Sequence, residues 1–281
     1  MPRVWLNGRI LPEEEARISP FDHGLLVGDG VFETLCADGG RVFAWRRHHE
    51  RLCRGGTALG LAIPSREILR AAAEDVIRVN GLGSVRARLR VTVTGGPAPL
   101  GSEKGTSGPT VLVAAAPAPV WDRAAVVVTV PFTRNERGAL AGLKTTSYAE
   151  NVIALSLAKG RGASEALFAN TRDELCEGTG SNVFLVRGEE VWTPPLESGC
   201  LAGVTRSLVL EICRREGMPV REEAIPFHEL ATAEEAFLTS TTREVQAIGE
   251  IDRRVLPTVE GAVTRRLAKR FRAWAAADAD P

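Results

Sequence analysis

The chain has 281 residues, 44% of them hydrophobic and 25% charged, with 35 Lys and Arg against 35 Asp and Glu. That length fits two layered domains, the composition is that of a soluble globular protein, and no apolar run approaches the ~18 residues of a membrane span. The even charge balance argues against nucleic acid or an anionic membrane as a partner, so any anion must be held by local chemistry. Five scattered cysteines, Cys36, Cys53, Cys176, Cys200 and Cys213, form no CxxC pair and read as thiols of a reducing cytosol, with no metal site expected. The first ten residues lack a basic segment followed by an apolar one, so a cytoplasmic protein is expected.

In chain order, a short strand and an Asn7-Gly8 turn come first, then the turn formers of 19–24 and Gly28-Asp29-Gly30. An apolar strand over 31–37 returns through Asp38-Gly39-Gly40 as a hairpin, and helical spacing follows over 45–59 and 65–79, the second with an N-terminal signal in Ser65 and Glu67. Residues 85–94 alternate strictly, Arg86, Arg88, Arg90, Thr92 and Thr94 on one face and Ala87, Leu89, Val91 and Val93 on the other, which predicts a strand. Gly, Pro and Ser make 95–109 a long loop, of the kind that often covers a site. A strand over 110–116 precedes a linker at 118–123, so the expected domains are 1–117 and 124–281. The second half alternates strand and helix: strands at 125–130, 165–170, 182–186, 191–193 and 236–239, and helices at 147–161, 204–216 and 260–276. The expected class is α+β, without internal repeats.

Lys144 lies in a stretch of small and apolar residues, 139–148, where an ammonium is costly unless its pKa falls, and a lysine of lowered pKa is what imine chemistry needs. Taken alone it reads as a solvated surface lysine, since lysines are rarely buried. Gly203-Val204-Thr205-Arg206 opens a helix whose free amides and dipole can face a phosphate, and Thr239-Ser240-Thr241-Thr242 is a hydroxyl-rich turn after a strand. Ordinary capping explains either segment by itself as well as anion binding does. Glu177 stands before Gly178-Thr179-Gly180-Ser181-Asn182, where backbone can approach a ligand closely, and a carboxylate there could keep a pyridine nitrogen protonated. In the run 46–52, His48 and His49 lack the i, i+4 spacing of a helical metal site, whereas an arginine such as Arg51 suits a phosphate.

This ordered set resembles the class IV, or fold-type IV, pyridoxal-phosphate (PLP) aminotransferase family, which includes branched-chain and D-amino-acid aminotransferases, amine transaminases and 4-amino-4-deoxychorismate lyase. The likeness runs through Ser19–Gly24 with Gly28–Thr34, His49–Leu52, Leu143-Lys144, Glu177–Phe184, Thr193-Pro194-Pro195, Leu201–Arg206 and Thr239–Val245, nearly the whole chain. It implies a smaller N-terminal α/β domain and a larger, barrel-like C-terminal α/β domain that binds PLP. It implies Lys144 as the Schiff-base lysine and proton shuttle, Glu177 as partner of the pyridine nitrogen, and Arg51, Val204, Thr205 and Thr241 as the phosphate cup. It also implies a homodimer and, as substrates, an amine or amino acid and a 2-keto acid. The D-amino-acid branch pairs an Arg and a His after the central strand, where this chain has Gly95–Gly101; Arg86, Arg88 and Arg90 form either a solvated or dimer-facing stripe or a set of which one receives a carboxylate. The expected activity is an aminotransferase, with the lyase, which expels pyruvate to give p-aminobenzoate, as the alternative.

Overall fold

Asn7 and Gly8 both take positive φ, 47° and 90°, the backbone of a two-residue hairpin turn, and close β1 (Arg3–Leu6) on β2 (Arg9–Pro12). The computed structural model describes all 281 residues, which divide into two compact units. The first comprises Met1–Pro119, Leu143–Tyr148 and Asp278–Pro281, the second Val120–Gly142 and Ala149–Ala277. Six residues around Lys144, Leu143–Tyr148, belong to the first unit and interrupt the continuous 124–281 domain expected from the sequence. Their backbone is the reason they do, as shown below.

In the first unit, β3 (Gly30–Asp38) turns into the short β4 (Arg41–Val42), and β5 (Ala87–Thr94) and β6 (Thr110–Pro117) complete a six-stranded sheet of order β2-β1-β6-β5-β3-β4. The alternation read in β5 is realised: Ala87, Leu89, Val91 and Val93 are buried, while Arg88 and Arg90 stand on the open face. Two helices, α2 (Trp45–Leu59) and α3 (Arg66–Val79), supply the apolar cover; the single-turn α1 (His23–Leu26) precedes β3. Ser65 accepts from Ile68 N at the start of α3, and Leu69, Ala72, Ala73, Val76 and Ile77 fall on one stripe that joins the sheet residues in a single core. Each large side chain so buried contributes roughly 1.5–3 kcal/mol. The 95–109 loop has no regular structure and is tied to the α1 region: His23 N donates to Gly96 O, Ala98 N to Phe21 O, and Lys104 pairs with Asp29 at 2.6 Å.

In the second unit, nine strands form one sheet: β7 (Ala124–Arg134), β8 (Glu165–Asn170), β9 (Leu175–Gly178), β10 (Asn182–Arg187), β11 (Glu190–Thr193), β12 (Val220–Glu222), β13 (Glu235–Ser240), β14 (Glu244–Ile251) and β15 (Arg254–Val255). The order is β12-β11-β10-β13-β14-β7-β8-β9, with β15 beside β14. The end strand β9 runs through three residues, 179–181, directly into β10 in the middle of that order, so the sheet curls on itself into the barrel-like shape expected. Helix α4 (Ala149–Gly160) packs Ala154 and Ala158 on Val128, Ala166 and Phe168, and the opposite sheet face closes around Val127, Leu167, Val183, Leu238 and Ile248. Helices α5 (Val204–Arg215) and α6 (Ala262–Ala277) complete the unit. Helix α4 starts at 149, two residues later than its pattern suggested, because 147 and 148 still belong to the first unit.

Candidate active site

Lys144 is fixed through its backbone. Phe32 N donates to Lys144 O, Thr146 N donates to Gly30 O, and Val31 and Thr145 bridge between these bonds, so 144–146 add to the free edge of β3 as a short antiparallel strand. The hydroxyls of Thr146 and Ser147 both donate to Gly28 O, at 2.9 and 3.1 Å. Gly28 has φ +70°, and a Cβ there would crowd Ser147 Oγ, so two constraints require glycine at this position. The Lys144 Nζ lies 4.6 Å from the centroid of the Phe32 ring and 5.8 Å from that of Tyr148, the two rings meeting edge to face. The Arg90 guanidinium stacks on the same Phe32 ring at 3.6 Å. One aromatic ring thus carries both the amine and a guanidinium.

Arg51 sits on the buried face of α2 and grips Glu33 with two parallel bonds, Nε to Oε1 and Nη2 to Oε2, each 2.7 Å. His48, one turn earlier, is 2.6 Å from Glu33 Oε2 through Nδ1. Burial alone would push the Glu33 carboxyl up, but Arg51 and His48 outweigh it and hold the group at about 2. Burial also pulls the His48 imidazole below its ordinary value, helped by the charges of Arg51 and Lys144 and opposed by Glu33, so His48 is neutral and its Nδ1–H donates. Arg51 is legible in the sequence as a phosphate candidate, its partners Glu33 and His48 less so. Their signal was the placement of Glu33 inside an otherwise apolar strand, which demands a buried counter-ion.

In the second unit, Glu177 ends β9. Its Oε2 accepts from Leu201 N at 2.9 Å, and its Oε1 lies 3.5 Å from Arg134 Nε. Arg134 is braced by Glu150 and Asn151 and stacks on Phe168 at 4.2 Å. Asn182, the first residue of β10, is opposite Thr239 in register and donates to Leu201 O. Gly203 caps α5 without a side chain, and a Cβ there would overlap Asn182 Oδ1, so the helix start packs directly on β10. Val204 and Thr205 are both buried in the first turn of α5, where amide N–H groups point outward. Thr239 Oγ1 is buried with no hydrogen-bond partner, two residues before Thr241 in the turn that joins β13 to β14. Arg206, the next residue of α5, instead turns inward to Pro194 O and Glu222 and is structural.

The structure therefore brings Glu177, Val204, Thr205 and the turn carrying Thr241 to one end of the second unit's sheet, and places Lys144 and Arg51 in the first unit. An uncapped helix start, clustered hydroxyls and one unpartnered buried hydroxyl suit a phosphate, and a carboxylate beside them suits a protonated ring nitrogen, so the residues present fit PLP. Glu33 and His48 brace Arg51, Arg134 braces Glu177, and Asn182 packs against the start of α5, contacts that sequence spacing alone does not reveal.

Comparison with known proteins agrees with this chemistry. The family model described as amino-transferase class IV, a family of PLP enzymes, matches residues 30–251. A putative branched-chain-amino-acid aminotransferase of Methanocaldococcus jannaschii is 35% identical over 276 residues, covering 96% of this chain and 95% of the relative. A D-alanine aminotransferase of Staphylococcus epidermidis is 29% identical over 284 residues, covering 96% and 97%. The crystal structure of a branched-chain aminotransferase from Thermoproteus uzoniensis with norvaline superposes with a TM-score of 0.90 at 33% identity, covering 96% of this chain and 93% of that one. With a family model spanning its central 222 residues and relatives matched along nearly their full length, the chain belongs to the class IV aminotransferases.

Proposed function

We propose that this enzyme transfers an amino group between an amino acid and a 2-keto acid with PLP held by Lys144. The observation that carries the reading is the lysine whose backbone is laddered to β3 while its amine lies over the Phe32 ring beside Arg90. When bound, PLP supplies an aldehyde that condenses with amines and a ring that takes up electrons from the substrate carbon.

The residues of the chain do the rest. Lys144 Nζ provides the amine and then carries the proton between substrate carbon and cofactor carbon. Glu177 keeps a proton on the ring nitrogen, its own position set by Leu201 N and Arg134. The first-turn amides of α5 at Val204 and Thr205, the hydroxyls of Thr205 and Thr241, and the Arg51 guanidinium bind the phosphate. Arg51 can do so with its plane already fixed, because Glu33 holds one edge of it. Of Arg86, Arg88 and Arg90, it is Arg90, stacked on the Phe32 ring beside Lys144, that receives a substrate carboxylate. The relatives named for branched-chain and for D-alanine substrates frame the donors to test.

We read the enzyme as a cytoplasmic homodimer. All five cysteines are free thiols, as a reducing compartment would leave them. Ile18, Phe21, Leu25, Leu26 and Val27 are exposed within ten residues, a density of apolar surface that marks an association face.

The test is to incubate the PLP-loaded protein with an amino donor alone, from a panel of L-branched-chain amino acids, L-glutamate and D-alanine, and to follow the cofactor's absorbance. Conversion to the amine form, with borohydride trapping that tags Lys144 before donor is added, is the expected result. Label at another residue overturns the lysine assignment. Release of pyruvate and p-aminobenzoate from aminodeoxychorismate, with no donor converting the cofactor, replaces the transferase by the lyase.

A further inference from the structure

Glu165 opens β8 and is 2% exposed, a carboxylate placed inside the second unit with no part in the chemistry above. Its Oε1 accepts from Thr179 N at 3.0 Å and from the Thr179 hydroxyl, and its Oε2 accepts from Ser181 Oγ at 2.9 Å. Those two residues belong to the turn closed by Gly178 N donating to Ser181 O, which connects β9, ending in Glu177, to β10. The turn is thus wrapped around a single carboxylate. A Cβ at Gly178 would crowd both Ser181 Oγ and Glu165, so the wrapping is tight on that side as well.

The counter-charge comes from the other turn at the same sheet end. Arg243 Nη2 is 3.8 Å from Glu165 Oε2 and donates to Ser164 O at 2.8 Å, and Nη1 donates to Gln246. The Arg243 guanidinium stacks on Trp121 at 3.6 Å, and Gln246 is fixed in turn by donating to Asp122 O. Arg243 N donates to Ser240 Oγ, which shapes the 240–243 turn, and Trp121 Nε1 donates to Thr242 Oγ1. Because Asn182 pairs with Thr239, the turn after Glu177 and the turn containing Thr241 are neighbours across β10 and β13. The ion pair ties them together from beneath. Both charges are buried, a placement that costs desolvation unless the surrounding bonds are complete.

We propose that Glu165 and Arg243 are positioning residues, a buried ion pair that sets Glu177 relative to the hydroxyl turn at Thr241 and so fixes the distance between the ring-nitrogen partner and the phosphate hydroxyls. The proposal rests on the PLP reading given above. It separates two functions in one network: Glu177 touches the cofactor, while Glu165 acts through Thr179 and Ser181. Glu165→Gln keeps the volume but removes the charge that Arg243 needs. Ser181→Ala keeps the ion pair and cuts one of its tethers to the turn.

The experiment measures PLP dissociation from each apoprotein by equilibrium dialysis, the ring-nitrogen resonance of bound 15N-labelled PLP, and the unfolding midpoint of the apoprotein. A partner that only stabilised the fold would lower the midpoint and leave the resonance of bound cofactor in place. For Glu165→Gln the expected result is a dissociation constant raised about tenfold, as loss of a buried charge-assisted contact gives, with the resonance displaced toward the unprotonated position. Ser181→Ala should show a smaller displacement of the same sign, and the double variant should be no worse than Glu165→Gln. Wild-type affinity and an unchanged resonance in Glu165→Gln overturn the proposal while leaving the PLP reading intact. Wild-type protein that takes up no PLP overturns that reading and the proposal with it. Should Glu165→Gln fail to fold, Ser181→Ala decides alone, and an unchanged resonance there overturns the proposal.

Discussion

Glu33 divides its two oxygens between Arg51, which takes both, and His48, which adds a third bond. Its pKa is depressed from the ordinary 4.5 to about 2, so in this fold it is a proton releaser, and the sign of its effect on stability follows. The stabilisation is complete above about pH 4.5 and is lost as the pH falls toward 2, a loss on the order of 3 kcal/mol by the size of the shift. His48 acts in the same direction from higher pH, because its imidazole is held below its ordinary 6.5 and must charge on unfolding. Urea unfolding from pH 7 down to pH 3 should show stability falling with acid, and Glu33→Gln should flatten the lower part of that curve. At neutral pH the same variant leaves Arg51 buried without its counter-ion and should cost about 3–5 kcal/mol. A variant as stable as the parent would remove Glu33 from its role. At the amine proposed to hold the cofactor the expectation is simpler: Lys144→Ala should lower turnover by at least ~10³-fold, the scale of losing a proton-transfer group, while the fold stays intact by circular dichroism. Arg90→Met should raise KM for a carboxylate-bearing substrate about tenfold or more with little change in kcat, since it removes binding rather than chemistry.

At the scale of elements, the phosphate site proposed at the start of α5 depends on a backbone conformation. Gly203 lets the helix begin against Asn182, and its lack of a side-chain cap leaves the first-turn amides to a ligand. Gly203→Ala forces the helix start away from β10, so PLP affinity should fall by about tenfold or more for a shift of the kind that costs 1.4 kcal/mol or above. Differential scanning fluorimetry with and without PLP checks this, the variant losing most of the ligand-dependent rise in midpoint. Elements with a clear period were legible in the sequence. The alternating β5 and the stripe of α3 bury the faces their patterns assign, and the Asn7-Gly8 turn has the backbone its residues favour. The strand β14 has no legible pattern because Val245, Gln246, Ala247 and Ile248 are all buried, which erases a two-residue period, and because Gln246 is satisfied inside by Arg243 and by Asp122 O, partners that the sequence does not announce. Similarly, β9 and β12 are too short, at four and three residues, to carry a pattern of their own. The candidate site residues are legible as types in order along the chain. Their supports, Glu33, His48, Arg134 and Glu165, were not, because a buried charge declares its partner only in three dimensions.

For the whole molecule, neutrality removes one explanation of association and leaves another. With 35 charges of each sign, no long-range field draws two copies together or holds them apart. Apolar contact is then the available force, and the first unit offers it in one place. Leu25 is 70% exposed and Leu100 74%, far more than isolated surface leucines need to be, and Phe21, Leu26 and Val27 extend the first of these. The 95–109 loop holds these residues in a fixed arrangement, since Ala98 N donates to Phe21 O and His23 Nε2 donates to Pro99 O at 2.7 Å. A contiguous apolar patch held in place in this way marks an interaction site. Replacing Leu25 and Leu100 by Glu adds two charges to that surface while touching neither Lys144 nor the core. Sedimentation velocity should then show the parent at twice the 30.1 kDa chain mass and the double variant at the chain mass, with the association recovered in part by high salt. A parent that sediments as a single chain across the micromolar range would require another role for this face.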